Sequence, residues 1–185
     1  MPVTLLRRFI LICALFALVP GVQRADFARA QADDPQRYFL PVITAPGQPE
    51  WIGPYGGSVI ALAAAPTQPA VVYAGTGQAG VFRSGDYGIT WTAASQGLGN
   101  LFIDSLAVHP KNSQIVYAGT HGSGVYRTLD GGRSWQAVNN GIAPRTIVYS
   151  LAVNPGNPNL IYAGTRIQGT YYHGVMYKST DGGAS

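Results

Sequence analysis

Charge is scarce in this chain. Asp, Glu, Lys and Arg together make up 11% of it, and Glu50 is its single glutamate. General acid–base cleavage of a glycosidic bond needs two facing carboxylates. Between Trp51 and Ser185 the one acid outside a repeated motif is Asp104, which does not make a pair. Cysteine is nearly missing too: Cys13 stands alone inside an N-terminal apolar run, so a disulfide framework is excluded. Ile12 precedes it where a lipoprotein signal needs a small residue, which argues against lipidation. His109, His121 and His173 lack metal-ligand spacing, so neither a metal nor a cofactor is expected. No P-loop, nucleophile elbow or dinucleotide fingerprint occurs. No stretch places apolar residues at i, i+3, i+4 and i+7 over ten positions, which excludes a helical solenoid.

The net charge of +4 suggests an anionic partner until it is located. Arg7, Arg8, Arg24 and Arg29 stand against Asp26 alone in the first 32 residues. Beyond Ala32, eight Lys and Arg face seven Asp and Glu, a net of +1. The clustered positive footprint of nucleic-acid binding is missing, and no such partner is expected.

Residues 1–32 read as a secretory signal peptide. Arg7 and Arg8 form its positive start, and Phe9 to Val19 gives eleven apolar residues, against about 20 for a membrane span. Small-x-small cleavage sites follow at Ala28-Arg29-Ala30 and, preferred, Ala30-Gln31-Ala32. An uncleaved signal anchor is the rival, disfavoured because Pro20-Gly21 ends the run early. The expectation is a secreted, extracellular or periplasmic protein with no stable membrane span after cleavage. Residues 33–50, with Pro35, Pro41, Pro46 and Pro49, read as an extended linker. Its apolar interruption, Tyr38 to Ile43, fits either an edge strand docking on the domain or a sticky patch.

From Trp51 onward the chain repeats itself. Ser84-Gly85-Asp86-Tyr87-Gly88-Ile89-Thr90-Trp91 returns as Thr128-Leu129-Asp130-Gly131-Gly132-Arg133-Ser134-Trp135, then as Ser179-Thr180-Asp181-Gly182-Gly183-Ala184-Ser185. Ahead of each copy runs Tyr-Ala-Gly-Thr, at Tyr73, Tyr117 and Tyr162, so that successive repeats lie 44 and 45 residues apart. Short Asp side chains stabilise turns by bonding to nearby backbone N–H groups, and glycine suits a position of positive φ. Each repeat holds four short β-branched or aromatic runs, in the second about 104–108, 115–119, 124–128 and 134–138. Four strands per repeat of about 45 residues predict an all-β fold, a β-propeller of four-stranded blades. The blades are expected at 51–100, 101–145 and 146–185, the last truncated. Propellers typically need four to eight blades, so the expectation is an N-terminal part of a longer protein. Ring completion by several chains is the alternative.

The recurring S/T-x-D-x-G-x-T/S-W signal after a V/I-Y-A-G-T strand resembles the Asp-box (bacterial neuraminidase, BNR) repeat superfamily, over roughly residues 51 to 185. Similar repeats occur in sialidases, xyloglucanases, sortilin-type receptors and photosystem II assembly factors. The resemblance implies that the box lies in the turn between third and fourth strands, away from the ligand face. Ser84, Asp86, Gly88 and Trp91, Thr128, Asp130, Gly132 and Trp135, and Ser179, Asp181 and Gly183 are then structural. It also implies that ligands meet the second-to-third-strand turns and the connections between blades. Candidate binding residues there are His121, Arg145 and Arg166, with Tyr171, Tyr172 and His173 in an insertion of six residues in the third repeat. Aromatic faces stack on sugar rings and arginine pairs with carboxylates. The alternative for Tyr171 and Tyr172 is that they only cover a longer hairpin. No catalytic residue is assigned. A sialidase-like site would need an arginine cluster, a tyrosine nucleophile and a neighbouring glutamate. A xyloglucanase-like one typically carries Asp just after the Thr, where Gly77, His121 and Arg166 stand. The favoured reading is an exported, non-catalytic scaffold that binds a polysaccharide or another protein. The alternative is the front part of a secreted glycoside hydrolase, xyloglucanase-like or, less favoured, sialidase-like.

Overall fold

The structure, a computed structural model, describes residues 53–54, 57–169 and 174–185. The leader, the linker, Tyr171, Tyr172 and His173 lie outside the described residues. Among those described there is no helix, hence none long and apolar enough to cross a membrane.

Eleven strands form three antiparallel sheets. The first takes β1 (Val59–Ala64), β2 (Val72–Thr76), β3 (Val81–Ser84) and β4 (Thr92–Ala93) in that order. The second repeats the meander with β5 (Ile103–His109), β6 (Asn112–Thr120), β7 (Val125–Thr128) and β8 (Gln136–Ala137). The third comprises β9 (Thr146–Val153), β10 (Ile161–Ile167) and β11 (Gly174–Ser179), with β10 central. Each sheet is a propeller blade, as the repeat predicts. The fourth strand is shorter than 134–138, because the donor that precedes it turns away from the ladder. Trp135 N–H goes to the Gln96 carbonyl at 2.8 Å, across to the first blade.

Alternation of side chains along each strand gives every blade two faces to bury. Between the first two blades Tyr73, Val81, Ile103, Val116 and Trp135 form one core cluster. Between the second and third, Tyr117, Val125, Val148 and Ile161 form another. Val116 and Tyr117, neighbours on β6, thus serve opposite cores. Polar bonds cross at the same places. Tyr73 Oη donates to the Ser113 carbonyl at 3.0 Å, Tyr117 Oη to that of Gly182 at 2.9 Å, and Arg127 Nη1 to the same oxygen at 2.8 Å. Burial raises the pKa of both phenols above the ordinary value.

The three boxes are matching hydrogen-bond circuits, each closing the turn that leaves a third strand. Ser84 Oγ donates to Asp86 Oδ1 at 2.7 Å and accepts from Gly88 N at 2.8 Å. Asp86 Oδ1 accepts from Thr90 N at 2.9 Å, and Oδ2 from Thr90 Oγ1 at 2.5 Å. Thr128, Asp130, Gly132 and Ser134 repeat this at 2.7, 2.9, 2.9 and 2.6 Å, and Ser179, Asp181, Gly183 and Ser185 at 2.7, 2.8, 3.0 and 2.5 Å. Gly88, Gly132 and Gly183 take φ of +89°, +90° and +84°, a region that side chains with Cβ rarely adopt. Tyr87 N, Gly131 N and Gly182 N bond to Ala70, Gln114 and Asn159 carbonyls before or at the start of the second strand of each blade. The boxes therefore share one end of the blades with the first-to-second-strand turns. The second-to-third-strand turns lie at the other end.

These circuits predict acid lability. Hydrogen bonds, foremost from the Thr90 hydroxyl, pull Asp86 down to about 2, and those of Ser134 and Thr128 do the same for Asp130. Asp181 is lowered as well, chiefly by Ser185. Carboxylates depressed in the fold contribute stability that is present above the unfolded pKa of about 4 and is lost as pH falls toward 2. The urea midpoint should be level from pH 7 to 5 and drop between pH 4 and 2. In Asp130→Asn the midpoint at pH 7 should fall and the acid drop should shrink. An unchanged acid drop in that variant would exclude the box as its origin.

Candidate functional site

At the end opposite the boxes, each blade carries the same irregularity. The first strand bulges, leaving one residue outside the ladder register: Ile60 between Val59 and Ala61, Asp104 between Ile103 and Ser105, Tyr149 between Val148 and Ser150. Bulges re-aim a side chain and interrupt pairing. Here each re-aimed residue meets the residue that follows the Tyr-Ala-Gly-Thr strand of its own blade. Ile60 lies against Gly77, its Cδ1 3.2 Å from where a Cβ would stand. Asp104 Oδ2 lies 3.0 Å from His121 Nδ1. The Arg166 guanidinium stands 5.6 Å from the centroid of the Tyr149 ring, within cation–π range.

Thr of the same strand fixes the turn beyond. Thr76 Oγ1 donates to the Gly80 carbonyl at 3.0 Å, and Thr120 Oγ1 to that of Gly124 at 2.8 Å. In the third blade Thr165 Oγ1 reaches the Val175 carbonyl at 2.7 Å. The longer third turn thus springs from the anchor used by the short ones.

The connections between blades complete this end. Phe102 and His121 rings lie 4.7 Å apart, tilted at 43°. His121 N donates to the Phe102 carbonyl at 3.0 Å, and the His121 carbonyl accepts from Asn100 Nδ2 at 2.9 Å. His121 also bridges to Ile147 in the next blade. Ile60, Phe102 and Tyr149 are 44%, 36% and 46% exposed, high for large apolar side chains. The Asp104 side chain is 10% exposed and that of His121 36%, so the acid is held in and the imidazole faces out. The result is an arc around the mouth of the first strands: an apolar ledge, an Asp–His pair, then an arginine on a tyrosine.

Of the residues singled out from the sequence, His121 and Arg166 occupy equivalent places in this arc. Arg145 lies in the connection that follows the second blade, exposed, with a φ of +61°, and its carbonyl accepts Gln168 N at 3.0 Å. Arg166 Nε is buried and has no hydrogen-bond partner among the described residues. Ile60, Phe102 and Tyr149 escaped the sequence reading, as did the tie between Asp104 and His121. The signal was available: positions 60, 104 and 149 recur at the same intervals of 44 and 45 as positions 77, 121 and 166. What spacing alone does not reveal is the bulge that brings the two series together.

The arc offers apolar and aromatic faces, a carboxylate, an imidazole with Nδ1 engaged, and a cation. Asp104 is the one carboxylate in the arc among the described residues. The other three described acids, Asp86, Asp130 and Asp181, sit in boxes at the opposite end. Among the described residues no three of His, Cys, Asp and Glu converge on a point where a metal could be held.

The family model described as Sortilin, neurotensin receptor 3, matches residues 79–185. No curated protein matches the chain. Among solved structures it is similar to an ancestral GH74 enzyme, 28% identical over 70% of this chain and 18% of that one, with a TM-score of 0.60. It is similar to YCF48 from Cyanidioschyzon merolae, 16% identical over 72% of this chain and 38% of that one, with a TM-score of 0.51. A GH74 xyloglucanase from Xanthomonas campestris is 19% identical over 69% of this chain and 29% of that one, with a TM-score of 0.40. The chain thus spans under two fifths of the length of each of these structures.

Proposed function

The chain belongs to the Sortilin, neurotensin receptor 3, family, and from that premise we propose an exported propeller that binds a glycan, without cleaving it, on the arc of bulged residues. The carrying observation is the threefold recurrence of one contact with changed chemistry: Ile60 on Gly77, Asp104 on His121, Tyr149 on Arg166. A scaffold that repeats its backbone while varying these side chains has the form of a ligand face on rigid strands. Phe102 and Tyr149 supply ring faces for a sugar, while His121 and Arg166 supply directional donors. Export rests on Arg7, Arg8 and the apolar run after them.

Calorimetric titration with soluble oligosaccharides, xyloglucan fragments first, tests this. His121→Ala and Tyr149→Ala should each weaken binding about tenfold, a change of about 1.4 kcal/mol, and Tyr149→Ala should leave the urea midpoint nearly unmoved. Equal affinity in both variants would exclude the arc as the site, and binding to a protein alone would exclude the glycan. The likeness to the ancestral GH74 enzyme favours hydrolysis as the second reading. Release of reducing ends from xyloglucan that survives Asp104→Asn would place hydrolysis on groups other than Asp104.

A further inference from the structure

Charge is divided unevenly between the two ends of the blades. Three of the four described acids, Asp86, Asp130 and Asp181, are bound into boxes at one end. The fourth, Asp104, belongs to the arc, where it is 10% exposed and turned onto His121 at 3.0 Å. Arg145 and Arg166 stand at that same end, and neither has an ion-pair partner among the described residues. The backbone gathers them. Ile147 on β9 pairs with Arg166 on one side and bridges to His121 on the other. At one strand spacing each, the backbones of His121 and Arg166 lie about 10 Å apart. Arg145 is two residues before Ile147 and is exposed.

The Arg145 side chain does not hold its loop. It corresponds to Asn100, 45 residues earlier, whose amide donates to the His121 carbonyl at 2.9 Å and accepts Phe102 N at 2.8 Å. The Arg145 guanidinium makes no such bond among the described residues. Thr146 Oγ1 closes this turn instead, on the Ala143 carbonyl at 2.6 Å. Arg145 nevertheless takes a φ of +61°, a region unfavourable to any residue with a Cβ. Backbone strain of that kind gathers at ligand sites. Arg166 is fixed differently. The Tyr149 ring takes the face of its guanidinium at 5.6 Å, which leaves the in-plane donors unspent, Nε among them.

We propose that the arc takes an acidic glycan, a polymer of uronic acid, and that Arg145 and Arg166 select its carboxylates. Arginine meets a carboxylate with paired N–H donors, and the Phe102 ring offers a face on which a sugar stacks. With Asp104 turned onto His121, no described carboxylate stands free at this end to repel such a chain. The inference rests on the glycan reading and narrows it to one substrate class.

The test is calorimetric titration of the purified chain with tetramers of galacturonate and of mannuronate, each also as its neutral methyl ester. At low salt at least one free acid should bind about tenfold tighter than its ester, and about 0.5 M salt should remove most of that advantage. Arg145→Gly puts a residue at ease with positive φ in place of a strained one, so the urea midpoint should hold. Its affinity for the acid should nonetheless fall about fivefold, with that for the ester within about twofold. Arg166→Gln should lower binding of the acid in the same way. Acid and ester bound alike would overturn this inference and leave the glycan reading standing, whereas binding of neither would overturn both. An unchanged preference in both variants would also refute it. So would tetra-aspartate bound as tightly as the acid sugars, since charge alone would then be recognised.

Discussion

Trp135→Ala is expected to lower the unfolding free energy by about 4 kcal/mol, in the range for aromatic truncation in a core. The side chain is 3% exposed and lies in the cluster shared by the first two blades. Its removal opens a void between two sheets, and strands pinned by ladders on both sides close such voids poorly. It also strands the Ala94 carbonyl, whose partner at 2.7 Å is the indole N–H. A buried acceptor left unpaired adds about 1–3 kcal/mol of its own. Trp91, at the same place in the first box, is the control. It is only partly buried, and its Nε1 bonds within its own box, to the Gly88 carbonyl at 2.9 Å. Trp91→Ala should cost about 1 kcal/mol, near that of a single net hydrogen bond plus partial burial. Urea unfolding followed by far-ultraviolet dichroism gives both values, and similar losses for the two would refute the assignment of Trp135 to the interface.

Gly119→Ala should cost about 3 kcal/mol, the upper part of the overpacking range. A Cβ there would lie 2.7 Å from both Cγ1 and the carbonyl oxygen of Val148, and would strike Ser105 Oγ. That hydroxyl already donates to the Val148 carbonyl at 2.8 Å, so the added methyl would wedge apart the second and third blades. Gly75, its counterpart, faces Ile103 Cγ2 at 2.6 Å in the same way. The third Gly of the Tyr-Ala-Gly-Thr motif, Gly164, meets only side-chain atoms of Ser150 in its own blade, and alanine there should cost less. Gly156, in the exposed turn between β9 and β10, is the neutral reference: Gly156→Ala should stay within about 0.5 kcal/mol. Denaturant midpoints rank the four, and a ranking that ignored the inter-blade contacts would sink the argument.

The same glycine shows how far the sequence could be read. Recurrence of Tyr-Ala-Gly-Thr at 44 and 45 residues announces strands and blades, because backbone pattern and turn chemistry are local and leave a periodic trace. That trace led to the propeller. It does not show why the third position is glycine, since the reason lies in the neighbouring blade's first strand. The ligand face was harder still. Positions 77, 121 and 166 carry Gly, His and Arg, and positions 60, 104 and 149 carry Ile, Asp and Tyr, so neither series looks like a motif. Each is conspicuous only once a bulge places it beside the other. Function here varies where the scaffold repeats, which hides it from any search for recurrence.

Tyr117 and Arg127 both hold the carbonyl of Gly182, which belongs to the box of the next blade. A turn that looks like a private fastening of its own hairpin is thus also read by its predecessor. The second blade closes its own hairpin and also latches that of the blade after it, so stability accrues pair by pair along the chain, as in a one-dimensional lattice. Unfolding should then begin at a terminal blade and run inward. Amide exchange would report it as a gradient, slowest at Val116 and Ala118 on β6 and fastest toward β11. A protein assembled this way can gain or lose a blade without redesigning the rest.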